Sequence, residues 1–574
     1  MRQKMILTVL MSILTLTLSA SRVKGEWRVY QQPDGTTLTL MLAGDEYNSY
    51  FISKDGKIYD QDEQGVFHLL TAAEAQRRNA MALGARRKLP SINKTWDPDR
   101  TYRQLVILVS FSDTDFSMEN PQETYNNMLN TSGYNQRNGV GCMADYFRDQ
   151  SGGMFNLQFD IYGPFKVSQK AQPVTNPNNK TRNYGRESFM EATQKLIESN
   201  EIDFSPYDWN NDGYVNQVLF IYAGFTGNQG IGTINGQTVS SYGYVWPVTT
   251  TFTTITTPDG KKISNYTASG ELYLNNANQG IGTFCHEFTH SLGLPDLYPT
   301  STTSTYYSVV DEWDLMDGGN FTNWGWCPPN YSALEKMLMG WLTPTELTEP
   351  TTITGMKSVA DGGEVYLIKQ TDNEFYLLEN RQWKGWDAGL PGKGLMIFHV
   401  DYANSSWTGN TVNNNSDHFR YDIVHADNLD YKQWDALFNQ RNLRTKYQQT
   451  PRLHNIMLSS SAYPWSTDST ETVNRELTNT SLPASTMYNQ NGEGSKLLSK
   501  SITNIQMSED GLISFDFMGG STPDGISIVQ GKSRGGSNLS TYDLQGRRID
   551  EFQLPKGIYI IRKADGTTKK VIKH

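Results

Sequence analysis

Two histidines four residues apart constrain the fold of this chain more than any other feature. They flank the run HEFTH at residues 286–290. On an α-helix this spacing places the imidazoles of His286 and His290 on one face, one turn apart, and two neutral imidazoles in that geometry suit one Zn²⁺. Glu287 can accept a proton from water at the open position of such a metal. The pattern predicts a helix over residues 283–292 with a catalytic zinc site, in preference to two ordinary helix histidines or a closed structural site.

Zinc requires a third protein ligand, and the residues after the helix offer one. Gly293 predicts the end of the helix and lets the chain turn back, and Asp296 follows three residues later. The spacing matches the metzincin pattern with Asp in place of the usual third His, and a carboxylate oxygen is an acceptable zinc ligand. Glu312 and Glu335 stay open as alternative third ligands from further along the chain.

Further candidates for the site follow downstream of the helix. Metzincins carry a Met-turn beneath the zinc site, and Met316 in the Gly-ended segment WDLMDGG (313–319) is the candidate here. Tyr306 and Tyr307 lie in the right stretch for a second electrophile, but packing roles explain them better. Zinc and Glu287 would together activate water for attack on a peptide carbonyl.

Residues 208–216 predict a second ion site. Oxygen-bearing side chains recur at alternate positions, with Gly213 after the third, as in the first part of an EF-hand calcium loop. The candidate ligands are Asp208, Asn210, Asp212, Tyr214 and Asn216. Leu219 stands where the bidentate Glu of such a loop belongs, so other ligands must come from elsewhere. An Asn/Asp-rich turn without an ion is the alternative.

The N-terminus has the pattern of a secretory signal peptide. Arg2 and Lys4 precede an apolar run over residues 5–18, and the small residues 19–21 then suit cleavage. The run is too short for a membrane span, and no later stretch approaches ~18 consecutive apolar residues, so no transmembrane helix is expected.

The 574 residues suggest three or four units, since domains usually hold ~100–200 residues. The sequence divides into a signal peptide (1–25) and four predicted parts, namely a propeptide (26–88), a catalytic domain (89–349), a β-rich region that completes or flanks it (350–518) and a C-terminal module (524–574). Buried strands near residues 105–111 and 218–222, and helices over 143–150 and 331–342, give an α+β class. The basic stretch 84–88 is either a cleavage zone or a solvated loop.

Composition excludes some functions. The formal net charge is −10 and no long Lys/Arg block is present, so no nucleic-acid partner is expected, because phosphate binding needs clustered cations. Cys142, Cys285 and Cys327 are too few for a disulfide scaffold and form either one bridge with a free thiol or three buried thiols. The scattered histidines, interpreted as ordinary polar or core residues, are His399, His418 and His425.

The segment HEFTHSLGLPDLY (286–298) resembles the zinc motif of the immune inhibitor A family of secreted bacterial metallopeptidases. Further segments similar to the family are QLVILVSFSD (104–113), ADYFRDQSGGMFNLQFDIYGP (144–164), DFSPYDWNNDGYVNQVLFIYAG (203–224), EWDLMDGG (312–319) and LLENRQWKGWDAGLPGKGLMIFHVD (377–401). The resemblance covers roughly residues 100–517. It implies extracellular proteolysis, zinc on His286, His290 and Asp296, and frequent calcium binding.

The last module resembles the C-terminal sorting domain of type IX secretion, which exports proteins across the outer membrane of Bacteroidetes. The similar segments are YDLQGRR (542–548), LPKGIYII (554–561) and KKVIK (569–573). The resemblance implies the type IX machinery as a partner and release or attachment at the outer surface of a Gram-negative cell. A small β-sandwich used for binding is the alternative.

The sequence as a whole predicts a secreted zinc endopeptidase with an α+β, metzincin-like catalytic domain, followed by a β-rich, sandwich-like region and a small C-terminal β-sandwich. Its partners would be protein or peptide substrates. One alternative is a zincin-like surface adhesin whose aromatic-rich region 350–518 binds host glycans or matrix. A metal-dependent hydrolase of non-peptide bonds is a weaker alternative.

Overall fold

A computed structural model describes most of the chain, in two compact units, Met1–Gly519 and Gly520–His574. The described residues are 18–19, 27–45, 48–62, 65–85, 89–172, 184–199, 202–229, 231–234, 237–241, 243–273, 277–301, 308–429, 433, 458–466, 473–521, 540–542, 548–549, 557–562 and 568–573. Apart from residues 18–19, the predicted signal peptide lies outside them. So does the basic stretch at residues 86–88.

The first unit begins with a five-stranded antiparallel meander. Its strands are Arg28–Gln31, Thr37–Gly44, Ser49–Ser53, Ile58–Gln61 and Phe67–Leu69, and the helix Ala72–Ala85 follows. A small core of Met41, Ala43, Tyr50 and Ile52 holds the meander together. These elements occupy the predicted propeptide, whose boundaries stay a prediction.

A six-stranded sheet forms the centre of the unit. In spatial order its strands are Leu18–Ser19, Val248–Thr256, Lys262–Leu272, Val218–Phe225, Thr101–Ser110 and Asn156–Lys166. The last four are parallel to one another, whereas Val248–Thr256 is antiparallel. Because alternate residues of a strand face opposite sides, Val106 packs into one hydrophobic core and Leu105 into another. The sheet is therefore buried on both faces, as parallel sheets usually are.

Besides Ala72–Ala85, the described α-helices of this unit are Pro121–Asn130, Met143–Gln150, Arg186–Ser199, Gly282–Ser291, Ala333–Leu338 and Asn404–Thr408. The prediction of a helix over 143–150 is confirmed, and Cys142 and Asp145 form its capping box. The prediction over 331–342 is too long. Ser332 caps the helix start, and Gly340, with φ of +72°, lies beyond its end. Among the described residues, no helix is both long and apolar enough to cross a membrane.

Another five-stranded sheet is formed by residues between 345 and 423. Its strands, in spatial order, are Thr345–Glu346, Tyr366–Lys369, Glu374–Arg381, Gly394–Asp401 and Tyr421–Ile423. Leu377 on one face joins the core that also contains Phe288 of the HEFTH helix. Tyr376 on the other face joins a third core with Phe515. The β-rich region thus shares a core with the helix that carries the histidines.

Smaller sheets complete the first unit. The strands Thr351–Met356, Ile513–Phe517 and Ile502–Met507 form an antiparallel three-stranded sheet. Two-stranded pairs join Ile231–Ile234 to Gln237–Ser240 and Trp465–Ser466 to Val473–Asn474.

The second unit is an antiparallel four-stranded sheet in its described part. Its strands, in spatial order, are Arg548–Ile549, Ser540–Tyr542, Gly557–Arg562 and Thr568–Lys573. The prediction of at least three short strands in this module is confirmed. Its role in sorting stays a prediction.

Candidate metal centre

The HEFTH run lies on the helix Gly282–Ser291, termed the motif helix, within one residue of the predicted bounds. Every residue over 282–290 is buried, and Phe284 and Phe288 anchor the helix in the core. Gly293 follows with φ of +106°, and a Cβ there would lie 2.6 Å from the Pro90 carbonyl oxygen. Only glycine fits this close, left-handed turn without strain. The turn sends the chain back toward the face that carries the histidines.

Three ligand-type atoms meet beside the motif helix. The Nε2 atoms of His286 and His290 are 3.2 Å apart. Asp296 Oδ1 lies 3.3 Å from Nε2 of His286 and 3.2 Å from Nε2 of His290. Ligand atoms about 2.0–2.1 Å from a tetrahedral zinc ion lie roughly 3.3 Å from one another. The triangle therefore has the dimensions of one face of a tetrahedral zinc site.

Backbone carbonyls fix the orientation of both imidazoles. Nδ1 of His286 donates to the Leu315 carbonyl oxygen at 2.8 Å, and Nδ1 of His290 donates to that of Leu294, also at 2.8 Å. Because a carbonyl can only accept, each neutral ring carries its proton on Nδ1. The Nε2 lone pairs are then left for a metal ion, an arrangement typical of metal-binding histidines.

The charge balance of the cluster favours a cation. Asp296 is 1% exposed. Burial alone would raise its pKa, but the neighbouring imidazoles, His290 foremost, hold that pKa below its usual range. Burial likewise works against charge on His290, yet the Asp296 carboxylate raises the pKa of His290. Among the described residues, no hydrogen-bond donor reaches Asp296 Oδ1. A buried carboxylate oxygen that faces two imidazole nitrogens provides the ligand types of a zinc site.

Glu287 of the motif helix lies next to the strand Val248–Thr256 of the central sheet. Its side chain is fully buried. The Thr249 hydroxyl donates to the Glu287 backbone carbonyl and lies 3.4 Å from Glu287 Oε2. The sheet thus packs directly against the residue that follows His286.

The segment around Met316 fixes the positions of two ligand candidates, His286 and Asp296, through backbone carbonyls. The Leu315 carbonyl orients His286, and the Met316 carbonyl accepts the N–H of Leu297, the residue after Asp296, at 2.9 Å. The Met316 side chain is fully buried. Within the described residues, neither alternative third ligand, Glu312 nor Glu335, belongs to the metal-type cluster, which consists of His286, His290 and Asp296.

Glu335 instead pairs with another buried acid. Its Oε2 accepts from the N–H of Ser332 at 2.7 Å, while its carboxyl group lies within hydrogen-bonding reach of Asp314. Neither Glu335 Oε1 nor Asp314 Oδ2 meets a donor elsewhere in the described structure. Burial, reinforced by the charge of Asp314, raises the pKa of Glu335 well above its usual value. Because two buried carboxylates in contact repel each other when both are charged, we expect the pair to keep one proton between them.

This shared proton predicts a pH-dependent stability. Above the ordinary Glu pKa of 4.5, the unfolded chain releases a proton that the folded chain retains, so the stability of the fold falls as pH rises, by up to about 1.4 kcal/mol per pH unit. Glu335→Gln keeps the cap and offers an N–H to Asp314. We expect its melting temperature, relative to the native protein, to rise from pH 5 to pH 8. Glu346→Gln on the surface is the control, and equal pH profiles for the native protein and Glu335→Gln would contradict the shared proton.

The structure does not support the predicted calcium site. Asp208 Oδ2 contacts the Lys261 ammonium at 2.7 Å and accepts the N–H of Gly213 at 2.9 Å. Asn216 Oδ1 accepts the N–H of Trp209. The remaining candidates bond within the loop as well: Asn210 Nδ2 donates to Asp212 Oδ2, and Asp212 Oδ1 accepts the N–H of Tyr214. The loop is a hydrogen-bonded Asx-type turn, and a lysine supplies its positive charge.

The other singled-out residues stand apart from the centre. His399 pairs with Glu374, His418 with Asp401, and His425 with the Ser461 hydroxyl. The three cysteines are buried free thiols, and burial raises the pKa of Cys142 to about 12 and that of Cys327 to about 11. Burial also raises the pKa of Cys285 well above its usual value. Tyr306 and Tyr307 lie outside the described residues.

Sequence reasoning missed one residue of the site. Asn410 contacts Asp296 through two hydrogen bonds, yet it lies 114 positions further along the chain. Nothing in the local sequence around residue 410 signals a metal site. Only the packing of the second sheet against the motif helix brings it there.

Comparison with known families decides what kind of domain surrounds this centre. Residues 98–339 match the immune inhibitor A peptidase M6 catalytic domain. This segment is therefore similar to a peptidase M6 catalytic domain. The matched residues include the motif helix, Asp296 and the Met316 segment. The matched family is one of metallopeptidases and implies a metal ion, and the cluster of His286, His290 and Asp296 has the residue types to hold one.

Two curated relatives agree with the peptidase M6 match. Immune inhibitor A of Bacillus thuringiensis subsp. alesti is 24% identical over 289 residues, which cover 43% of this chain and 41% of the relative. Pre-pro-metalloprotease PrtV of Vibrio cholerae serotype O1 is 21% identical over 273 residues, which cover 42% of this chain and 30% of the relative. The matches thus span less than half of each relative.

Proposed function

We propose that this chain is a secreted, zinc-dependent endopeptidase that hydrolyses peptide bonds of extracellular proteins. The observation that carries the proposal is the triangle of His286 Nε2, His290 Nε2 and Asp296 Oδ1, with sides of 3.2–3.3 Å. It lies inside the peptidase M6 domain and directly beside a buried glutamate. Met316 takes the role of the Met-turn in a metzincin-like arrangement.

The residues of this chain would share the chemistry as follows. His286, His290 and Asp296 hold the ion, which when bound supplies a Lewis acid that acidifies water and polarises a carbonyl. Glu287 accepts the proton of the attacking water and passes it to the leaving amine. Its fully buried position keeps bulk water from competing for that proton.

The strand Val248–Thr256 of the central sheet offers an edge along which an extended substrate can bind. Residues 18–19 pair antiparallel with Thr249 and Thr250 on this strand, and Thr249 also contacts Glu287. An edge that accepts one extended segment can accept a peptide by strand addition, with main-chain hydrogen bonds supplying affinity. This supports protein or peptide substrates over small molecules.

Residues outside the peptidase M6 domain concern delivery and activation. We propose that residues 1–25 are removed as a signal peptide, that the meander and helix over 26–88 form a propeptide, and that residues 524–574 direct type IX secretion. The enzyme would then act outside a Gram-negative cell of the Bacteroidetes type, released or held at its outer surface. The antiparallel sheet of the last module is compatible with a sorting domain.

Casein hydrolysis by protein cleaved near residue 87 tests the proposal. We expect a chelator to abolish cleavage and stoichiometric zinc to restore it. Asp296→Ala should bind zinc at least a hundredfold more weakly, because even changes to residues around the ligands typically cost 10–100-fold. If the native protein binds zinc at this cluster but cleaves nothing after processing, the adhesin alternative replaces the peptidase.

A further inference from the structure

Three asparagines of one loop, Asn410, Asn413 and Asn414, hold the segment that contains Asp296. This loop, residues 410–414, is termed the asparagine loop and connects the helix Asn404–Thr408 to the strand Tyr421–Ile423. Asn413 Nδ2 donates to the Leu297 carbonyl at 2.7 Å. Asn414 Oδ1 accepts the N–H of Thr300 at 2.6 Å.

Asn410 contacts the metal-ligand candidate itself. Its Nδ2 donates to Asp296 Oδ2 at 2.6 Å, and its Oδ1 accepts the backbone N–H of Asp296 at 2.7 Å. One planar amide therefore bonds both ends of the aspartate and restricts the rotation of its side chain. Oδ2 is occupied by this bond, so Oδ1 alone faces His286 and His290.

The backbone of Asn410 is shaped for this contact. The residue is 1% exposed and has φ of +53°, a left-handed conformation that asparagine tolerates better than most residues. Its carbonyl oxygen accepts the Thr300 hydroxyl at 2.9 Å. Asn410 thus makes three hydrogen bonds to residues 296 and 300 while it keeps a disfavoured backbone conformation. Such conformations persist mainly at positions whose geometry matters for function.

We propose that Asn410 is the positioning residue of the zinc site, which directs Asp296 to bind the ion through Oδ1 alone. The inference rests on the proposed zinc site. Carboxylates that bind metals are generally fixed by a neighbouring donor, and loss of that donor weakens metal binding about 10–100-fold. Here the donor comes from the β-rich region (350–518), whereas the three ligand candidates come from residues 98–339. Both parts of the first unit therefore contribute to one metal centre.

Zinc titration of the full chain with a competing chelating dye tests this role. Asn410→Gly removes the amide without backbone strain, because glycine accepts a positive φ. Asn504→Gly is the matched control: Asn504 also has a positive φ, of +54°, and donates to a carboxylate, Asp516 Oδ2 at 2.6 Å, on the exposed surface. We expect the zinc dissociation constant to rise about 10–100-fold in Asn410→Gly and to stay within twofold in Asn504→Gly, and casein hydrolysis by Asn410→Gly to recover at raised zinc.

The outcomes separate this inference from the proposed function. If Asp296→Ala binds zinc as tightly as the native protein, the zinc site itself is misassigned. If Asp296→Ala loses zinc but Asn410→Gly binds it as the native protein does, only the role of Asn410 is overturned. Should Asn410→Gly fail to fold, Asn410→Ala, which retains a Cβ in the vacated space, undergoes the same titration with the same two outcomes.

Discussion

Replacing Glu287 by Ala is expected to lower kcat for casein hydrolysis by about 10²–10⁴-fold, the usual contribution of a positioned general base. Zinc content should not change, because the triangle of ligand-type atoms consists of His286, His290 and Asp296. Both quantities are measured on the same processed preparation, kcat from initial rates and zinc by elemental analysis.

Thr267→Val serves as the matched control for this substitution. Thr267 lies on the central sheet within 3.5 Å of the Glu287 carbonyl oxygen, but it offers no carboxylate. The Thr267→Val substitution should leave kcat within a few-fold of the native value. Equal cleavage by the native protein and Glu287→Ala at equal zinc loading would remove Glu287 from the mechanism.

Replacing Arg381 by Ala is expected to destabilise the first unit by about 3–5 kcal/mol, the usual effect of breaking a buried ion pair on one side. Arg381 is fully buried. Its Nε and one terminal nitrogen donate to the two carboxylate oxygens of Asp387 at 2.8 and 2.7 Å. The second terminal nitrogen donates to Glu379 Oε1 at 3.2 Å. Without the guanidinium, two buried carboxylates lose their counter-ion. Urea unfolding measures the loss.

An exposed ion pair provides the control for Arg381. Lys384 lies 2.8 Å from Asp361, and these side chains are 49% and 40% exposed. Lys384→Ala should cost less than about 1 kcal/mol, since solvent screens such pairs. If Arg381→Ala costs no more than Lys384→Ala, the buried cluster does not stabilise the fold as its geometry indicates.

The parts of the site that sequence could predict are local. The four-residue spacing of the histidines, the glycine that ends the motif helix and the nearby Asp296 lie within eleven residues of chain, so helix geometry alone brings them together. The structure places these side chains at metal-ligand distances from one another. The helix over 143–150 is equally local, because its cap and its apolar face are read from adjacent residues.

What sequence could not predict depends on distant packing. Asn410 reaches Asp296 from 114 positions away, and Lys261 reaches Asp208 from 53 positions away. The contact of Asn410 adds a residue to the site. The contact of Lys261 supplies the positive charge that a calcium ion was expected to supply. The alternating pattern 208–216 could not distinguish the two, because an Asx-type turn and a calcium loop use the same residue types.

Anomalous diffraction at the zinc absorption edge, from crystals of the processed protein, tests the central claim most directly. The account predicts one strong peak about 2.0–2.2 Å from His286 Nε2, His290 Nε2 and Asp296 Oδ1, with no peak in the 208–216 loop. A zinc-replete crystal with no peak at these three atoms, or a peak coordinated by other residues, would contradict it.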